Sequence, residues 1–177
     1  MKTADASTNS VPPARAPPTL PLLTGSLIIS RAIYAIAKLR IPDLLADGPK
    51  TGGELARLTN SHAPSLRRIL RLLTALSLFN KTEPDSFGLT PVGERFRSGA
   101  PGSFHDMILL TDAVGGLRPY EHILDAVLSG ETAFSFAHGV ALFEFLANRP
   151  DESVAFNAAM AERTAALAPT VVFKLQF

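Results

Sequence analysis

Histidine is the side chain in this sequence best suited to acid–base or metal chemistry. The chain has no cysteine and four histidines, which are His62, His105, His122 and His138. A metal site requires several ligands at a defined spacing. These histidines do not stand at such a spacing from one another or from a pair of carboxylates. The lack of cysteine excludes disulfides, thiol catalysis and cysteine-ligated zinc. We therefore predict neither a catalytic residue nor a metal site in this chain.

Glycine pairs mark the two places where the backbone could approach a nucleotide-like cofactor closely. They are Gly52-Gly53 and Gly115-Gly116. A dinucleotide-type site requires a buried strand, then a G-x-G-x-x-G turn, and then an acidic residue for the ribose. Neither pair follows a predicted buried strand or fits that turn. We interpret both pairs as breaks at helix ends and predict no cofactor-binding residue.

Side chains that suit a flat aromatic ligand recur on the last predicted helix, which covers residues 151–168. Phe156, Met160 and Arg163 follow i, i+4, i+7 spacing and therefore share one helical face, with Asn157 beside them. An aromatic ring and a flexible thioether can both pack against a flat ring. The alternative is that Phe156 and Met160 are ordinary core residues. The spacing alone does not distinguish the two.

A basic helix raises a different possibility. Arg67, Arg68 and Arg71 lie close together, and residues 51–97 hold seven basic and four acidic residues, a net charge of +3. Such a helix could contact DNA phosphates. It carries no Asn or Gln for base edges, however, and the net charge of the whole chain is only +1. We favour ion pairing with acids of the same or a partner subunit, and keep a DNA-binding regulator as an alternative.

The elements that position these residues are predicted to be mostly helices. Thr51 is expected to cap a helix, with Glu54 at the capping-box position. A second helix follows, in which leucine and isoleucine recur at helical spacing. Leu78-Phe79 and the segment 87–89 then predict a small β-hairpin, the wing of a winged helix-turn-helix. We place this winged-helix domain at residues 21–98.

Residues 99–177 are predicted to form a helical linker. Helices are expected over 107–110 and 120–128, and Gly130 is expected to end the second of these. A loop containing Phe134 and Phe136 should follow, then a short helix over 140–146. The fold class is therefore mainly α, a winged helix-turn-helix with one small β-hairpin and a helical linker.

The first predicted helix, Gly25 to Leu39, is apolar around most of its circumference. A helix of this kind must be covered on more than one side, and a second copy of the chain is the expected cover. Residues 1–20 are rich in proline and are expected to be a disordered tail. The apolar run at residues 20–29 is too short to span a bilayer and lacks the flanks of a signal peptide. We expect a cytoplasmic protein without a membrane segment.

Five sequence strings occur in an order typical of one enzyme family. They are HAPSLRRILRLLTAL, FGLTPVGERF, LSGETAF, HGVALFEFL and FNAAMAERT. Together they resemble the plant and bacterial small-molecule O-methyltransferases, which use S-adenosylmethionine (SAM). The resemblance covers residues 24–170. Ser77 and Tyr120 stand where family members often have glycine and tryptophan.

The resemblance implies a winged-helix domain that pairs two subunits, a helical linker and a Rossmann-type SAM domain. It implies a small aromatic or polyketide hydroxyl as substrate, contacted by Phe156, Asn157, Met160 and Arg163. The chain ends at TVVFKLQF, where the family continues into the SAM domain. We therefore expect that domain to be absent, and this chain alone to bind no SAM and to be inactive. A non-catalytic dimerisation or ligand-binding module is the remaining alternative.

Overall fold

Helices make up most of the structure, a computed structural model that describes residues 20–174. The first six helices are α1 (Leu20–Thr24), α2 (Ser26–Lys38), α3 (Ile41–Leu44), α4 (Gly52–Leu58), α5 (Ala63–Ala75) and α6 (Pro91–Glu94). The others are α7 (His105–Ala113), α8 (Arg118–Glu121), α9 (Ile123–Ser129), α10 (Ala133–His138), α11 (Leu142–Ala147) and α12 (Pro150–Lys174). The strands are β1 (Lys50–Thr51), β2 (Phe79–Glu83) and β3 (Ser86–Leu89). The mainly α fold class is confirmed.

The winged helix begins with the capping interaction that the sequence predicts. The hydroxyl of Thr51 accepts a hydrogen bond from the backbone N–H of Glu54, and the Glu54 carboxylate accepts one from the N–H of Thr51. These reciprocal bonds satisfy two backbone donors that a helix start leaves free. The start of α4 is therefore fixed at Thr51.

The small sheet has three antiparallel strands in the order β1-β3-β2. The predicted hairpin of β2 and β3 is confirmed, with Phe79 opposite Leu89. The structure adds β1, in which Lys50 pairs with Phe87. This strand is not evident from the sequence, because two residues carry no alternating pattern.

One hydrophobic core lies under the winged helix. Ile36 of α2, Leu55 of α4, and Leu70 and Leu73 of α5 are fully buried against Phe87 of β3. Burying a side chain of this size contributes roughly 1.5–3 kcal/mol. The leucine spacing on α5 therefore predicted the buried face of that helix correctly.

The helical linker differs from the sequence prediction in two places. Phe134 and Phe136 lie in α10 rather than in a loop, because the Thr132 hydroxyl caps that helix through the N–H of Ser135. The helix predicted over 120–128 is two helices, since the backbone of His122 leaves helical geometry between α8 and α9. The predicted break at Gly115-Gly116 and the predicted helix end at Gly130 are both confirmed, and all three glycines have positive φ.

Two predictions fall largely outside the described residues or stay untested. The expected disordered tail at residues 1–20 lies outside them except for Leu20, which begins α1. The domain limits 21–98 and 99–177 stay predictions. Within residues 20–174, no helix is both long enough and apolar enough to cross a membrane.

Candidate functional site

The helix α12, which carries the predicted substrate residues, is fixed against α7 and the glycine turn before α8. Ala159 is fully buried. The Glu162 carboxylate accepts a hydrogen bond of 3.0 Å from the backbone N–H of Met107 in α7. In its first turn, α12 presents Glu152, which accepts a bond of 3.2 Å from the N–H of Gly115. The position of α12 is thus set at two points.

The four predicted substrate residues occupy one edge of α12. Phe156 and Met160 are half-buried, whereas Asn157 and Arg163 are exposed. The Phe156 ring meets the ring of Phe143 from α11 edge to face, with ring centroids 6.3 Å apart. Half-buried aromatic and thioether groups beside exposed polar ones form an amphipathic surface. This surface could take the flat face of an aromatic ligand.

A cluster of rings holds the linker helices behind this surface. His138 donates from Nε2 to the carbonyl of Gly115 at 2.9 Å, and its ring lies 4.8 Å from the ring of Phe145. Phe134 packs edge to face on Phe145, and the Arg149 guanidinium lies 3.7 Å above the same ring. These contacts join α10, α11 and the glycine turn into one unit. His138 therefore holds the linker together, a role that sequence spacing does not reveal.

The other histidines also make local contacts. Nδ1 of His62 lies 3.0 Å from the Ser65 hydroxyl, that of His105 3.0 Å from Asp106, and that of His122 2.8 Å from Asp125. Within residues 20–174, no three or more histidines, aspartates and glutamates stand close enough to hold a metal ion.

At one glycine of each pair, side chains of this chain fill the space beside the backbone. The structure shows Gly52 beneath Arg67 at the start of α4, where an added Cβ would lie 2.7 Å from Arg67 Cγ. It shows Gly115 against Phe134 and His138, where an added Cβ would lie 2.7 and 2.8 Å from their ring atoms. Both glycines therefore accommodate side chains of this chain, and neither begins a G-x-G-x-x-G turn.

A second surface is apolar and exposed, and it belongs to α1 and α2. Leu23, Leu27 and Ile28 are 52%, 63% and 68% exposed. Beside them α1 and α2 form one wall of an apolar groove of about 770 Å³, whose other wall includes Phe104, Met107 and other linker residues. Contiguous apolar surface of this kind marks a protein interface more often than free surface. The sequence predicts that the first helix is covered on more than one side. Within a single chain, only one side of this helix is covered.

An ion pair joins α2 to α7 beside this groove. The Arg31 guanidinium lies 3.0 Å from the Asp112 carboxylate and 4.1 Å above the Tyr34 ring. The hydrogen bond from Tyr34 and the contact with Arg31 hold the pKa of Asp112 below its ordinary value. The same hydrogen bond, together with burial, raises the pKa of Tyr34. The winged helix and the linker are therefore coupled by charge as well as by packing.

The basic helix α5 is partly neutralised within the chain. Nε of Arg67 donates to both oxygens of Asp85, at 3.0 and 3.1 Å. The predicted ion pairing is confirmed for Arg67. In the part of the chain that the structure describes, Arg68 and Arg71 have no ion-pair partner.

Comparison with known proteins assigns the domain. Residues 22–99 match the family model of the O-methyltransferase dimerisation domain. A phenazine O-methyltransferase of Lysobacter antibioticus is 37% identical over 158 residues, which are 89% of this chain and 46% of that protein. An 8-amino-8-demethylriboflavin N,N-dimethyltransferase of Streptomyces davaonensis is 38% identical over 77% of this chain and 40% of its own length. The chain therefore spans less than half of the curated relatives it matches.

Solved structures give the same result. A crystal structure of the phenazine enzyme LaPhzM matches with a TM-score of 0.78 at 37% identity, over 86% of this chain and 46% of that one. An O-methyltransferase from neocarzinostatin biosynthesis, solved with SAM and 2-hydroxy-5-methyl naphthoic acid, matches with a TM-score of 0.69 at 26% identity. That match covers 84% of this chain and 46% of the other.

Proposed function

We propose, from the match of residues 22–99 to the O-methyltransferase dimerisation domain, that the chain is the dimerising and substrate-capping portion of a SAM-dependent O-methyltransferase. The family match is the observation that carries the proposal. It supports this function over a DNA-binding regulator and over a non-catalytic binding module.

The dimer of the proposal forms through α2, which lies within the predicted range Gly25 to Leu39, and through the winged-helix domain. Leu27 and Ile28 lie on the exposed side of α2, beside the apolar groove. A symmetric pair would bury both side chains of each subunit. Removing that much apolar surface from water stabilises the dimer by several kcal/mol, at roughly 25 cal/mol per Å².

The substrate of the proposal is a small, flat aromatic compound with a hydroxyl group, of the kind made in secondary metabolism. Relatives named for phenazine and riboflavin derivatives support a flat polycyclic acceptor. On this chain, Phe156 and Met160 would contact the ring, while Asn157 and Arg163 would contact its polar substituents. One of those relatives is named an N-methyltransferase, so an amine acceptor is the other outcome to test.

Methyl-labelled methionine offers a direct test of the substrate surface. The chain has three methionines, so a sample with ¹³C-methyl methionine gives at most three signals. Titration with a hydroxyphenazine should shift the Met160 signal saturably and leave the Met107 signal in place, because Met107 lies in the apolar groove instead. Met160→Leu assigns the signal.

Two substitutions on α12 provide the matched comparison. Phe156→Ala should weaken binding of the hydroxyphenazine, since it removes the ring that meets Phe143. Val154→Ala should not, because Val154 is an exposed apolar residue on another side of the same helix. Equal weakening by both substitutions, or a shift of Met107 alone, would contradict the substrate surface.

Two further expectations stay predictions. The chain alone should give no saturable heat on titration with SAM, and tight binding of SAM would overturn that expectation. The cytoplasmic location rests on the sequence features described above, and fractionation of the producing cells tests it.

A further inference from the structure

A pocket of about 340 Å³ lies between α5 and the wing. Pro64, Arg67, Arg68 and Arg71 line one side of it, and the hairpin residues Lys81, Pro84, Asp85 and Phe87 line the other. We refer to it as the basic pocket. It lies in the winged helix, whereas the proposed substrate residues lie on α12.

Arg67 is held in a defined position at this pocket. Both oxygens of Asp85 contact its Nε, so its two outer nitrogens stay available to a ligand. The side chain crosses Gly52, where an added Cβ would lie 2.7 Å from Arg67 Cγ. The glycine therefore gives Arg67 the space to lie between α4 and the wing. A guanidinium already oriented in this way loses less entropy on binding an anion.

The other cations of the pocket are not neutralised. In the described part of the chain, Arg68, Arg71 and Lys81 have no ion-pair partner, and the single lining acid, Asp85, contacts Arg67. Four positive side chains against one negative side chain leave the pocket with a net charge of +3. Like charges gathered on a folded surface repel one another, and a bound anion relieves that repulsion.

The chemistry and the shape select the class of anion. Guanidinium groups match the oxygen atoms of a phosphate with paired hydrogen bonds, and a lysine adds a point charge. Pro64, Pro84 and Phe87 border a small depression that is open on one side, and its volume suits a small anion rather than a long polymer. A DNA duplex would also bring its phosphates near the exposed Glu83 of the wing, and α5 has no Asn or Gln to read bases. We propose that the basic pocket binds a small phosphorylated molecule through Arg67, Arg71 and Lys81.

Inorganic pyrophosphate is the probe for this proposal, titrated by calorimetry into the 177-residue chain at about 0.15 M salt, where charges more than about 8 Å apart are largely screened. Saturable binding is expected. Arg71→Gln and Lys81→Gln should each weaken it about tenfold, the size of one lost charge-assisted hydrogen bond. Arg57→Gln is the matched control, because Arg57 is an exposed arginine of α4 that does not line the pocket. It should leave the affinity within about twofold, as expected for a remote surface charge.

Circular dichroism of each variant establishes that it is folded before the titration. Three results would each overturn the proposal. The first is that the folded chain shows no saturable binding of pyrophosphate. The second is that Arg57→Gln weakens the binding as much as the pocket substitutions do. The third is that the chain binds a short DNA duplex that pyrophosphate does not displace. The last result would assign the surface to nucleic acid instead. The test does not depend on the proposed methyltransferase function, because it uses neither SAM nor an aromatic substrate.

Discussion

Replacing Gly93 with alanine tests how the wing is joined to the rest of the winged helix. Gly93 is buried in α6, and a Cβ added to it would lie only 2.1 Å from the backbone oxygen of Leu78. That oxygen cannot move alone, because it accepts hydrogen bonds from the hydroxyl of Thr90 at 3.0 Å and from the Thr90 N–H at 3.5 Å. Either α6 or the start of β2 must shift.

The expected magnitude follows from these contacts. Losing or stretching two hydrogen bonds costs about 1–3 kcal/mol. Displacing the buried Leu78 and its neighbour Phe79 adds about 1–3 kcal/mol, as overpacking of a core does. Alanine has a higher helix propensity than glycine, which offsets at most about 1 kcal/mol of this loss. We therefore expect Gly93→Ala to lower the free energy of unfolding by about 3 kcal/mol.

Urea unfolding followed by circular dichroism measures this change, with Gly53→Ala as the control. Gly53 lies in the first turn of α4, where an added Cβ would lie 3.3 Å from the far end of the Arg67 side chain and 4.0 Å from the Thr51 hydroxyl. The same substitution should therefore be neutral or stabilise by up to about 1 kcal/mol. If Gly93→Ala unfolds at the same urea concentration as Gly53→Ala, the result would contradict the close packing of Gly93 against the backbone of Leu78.

Three other changes have defined outcomes. Thr51→Ala removes the helix cap and should lower the free energy of unfolding by about 1 kcal/mol, measured by urea unfolding. Ser77→Gly should raise the midpoint of thermal unfolding and stabilise by about 1 kcal/mol, because Ser77 has a φ of 62° that glycine adopts without strain; an unchanged midpoint would contradict this. Contacts with Tyr34 and Arg31 lower the pKa of Asp112 below its ordinary value of 3.8. These contacts therefore stabilise the fold above pH 3.8, and the stabilisation is lost as the pH falls through the folded-state pKa of Asp112. Asp112→Asn should therefore flatten the acid side of the stability profile, and an unchanged slope would contradict the contribution of this ion pair.

Local interactions explain why much of the winged helix was predictable. The Thr51 cap needs only Glu54 three residues later, and the buried leucines of α5 follow from helical spacing. In each case the information lies within a few residues of the feature.

Features that depend on distant contacts were not predictable. The strand β1 exists only because Lys50 pairs with Phe87, and α10 is held by contacts of Phe134 and His138 with Phe145. The segment predicted as a loop is therefore a helix, which the Thr132 cap begins and these ring contacts hold.

The candidate sites were predictable to different degrees. Helical spacing correctly put Phe156 and Met160 on one edge of α12, whereas the contact of Phe156 with Phe143 of another helix could not be predicted from it. The basic pocket could not be predicted at all. It requires the wing to bring Lys81 and Asp85 against α5, and no spacing rule encodes that approach.

The mass of the chain in solution tests the central claim most directly. Sedimentation equilibrium at micromolar concentration should give twice the mass of one chain. Leu27→Ser with Ile28→Ser should give a folded single chain, because each substitution removes about 1–2 kcal/mol of apolar burial per subunit from the dimer. A folded single chain in the unsubstituted protein would contradict a dimerising portion of an O-methyltransferase, as would a dimer that survives both substitutions.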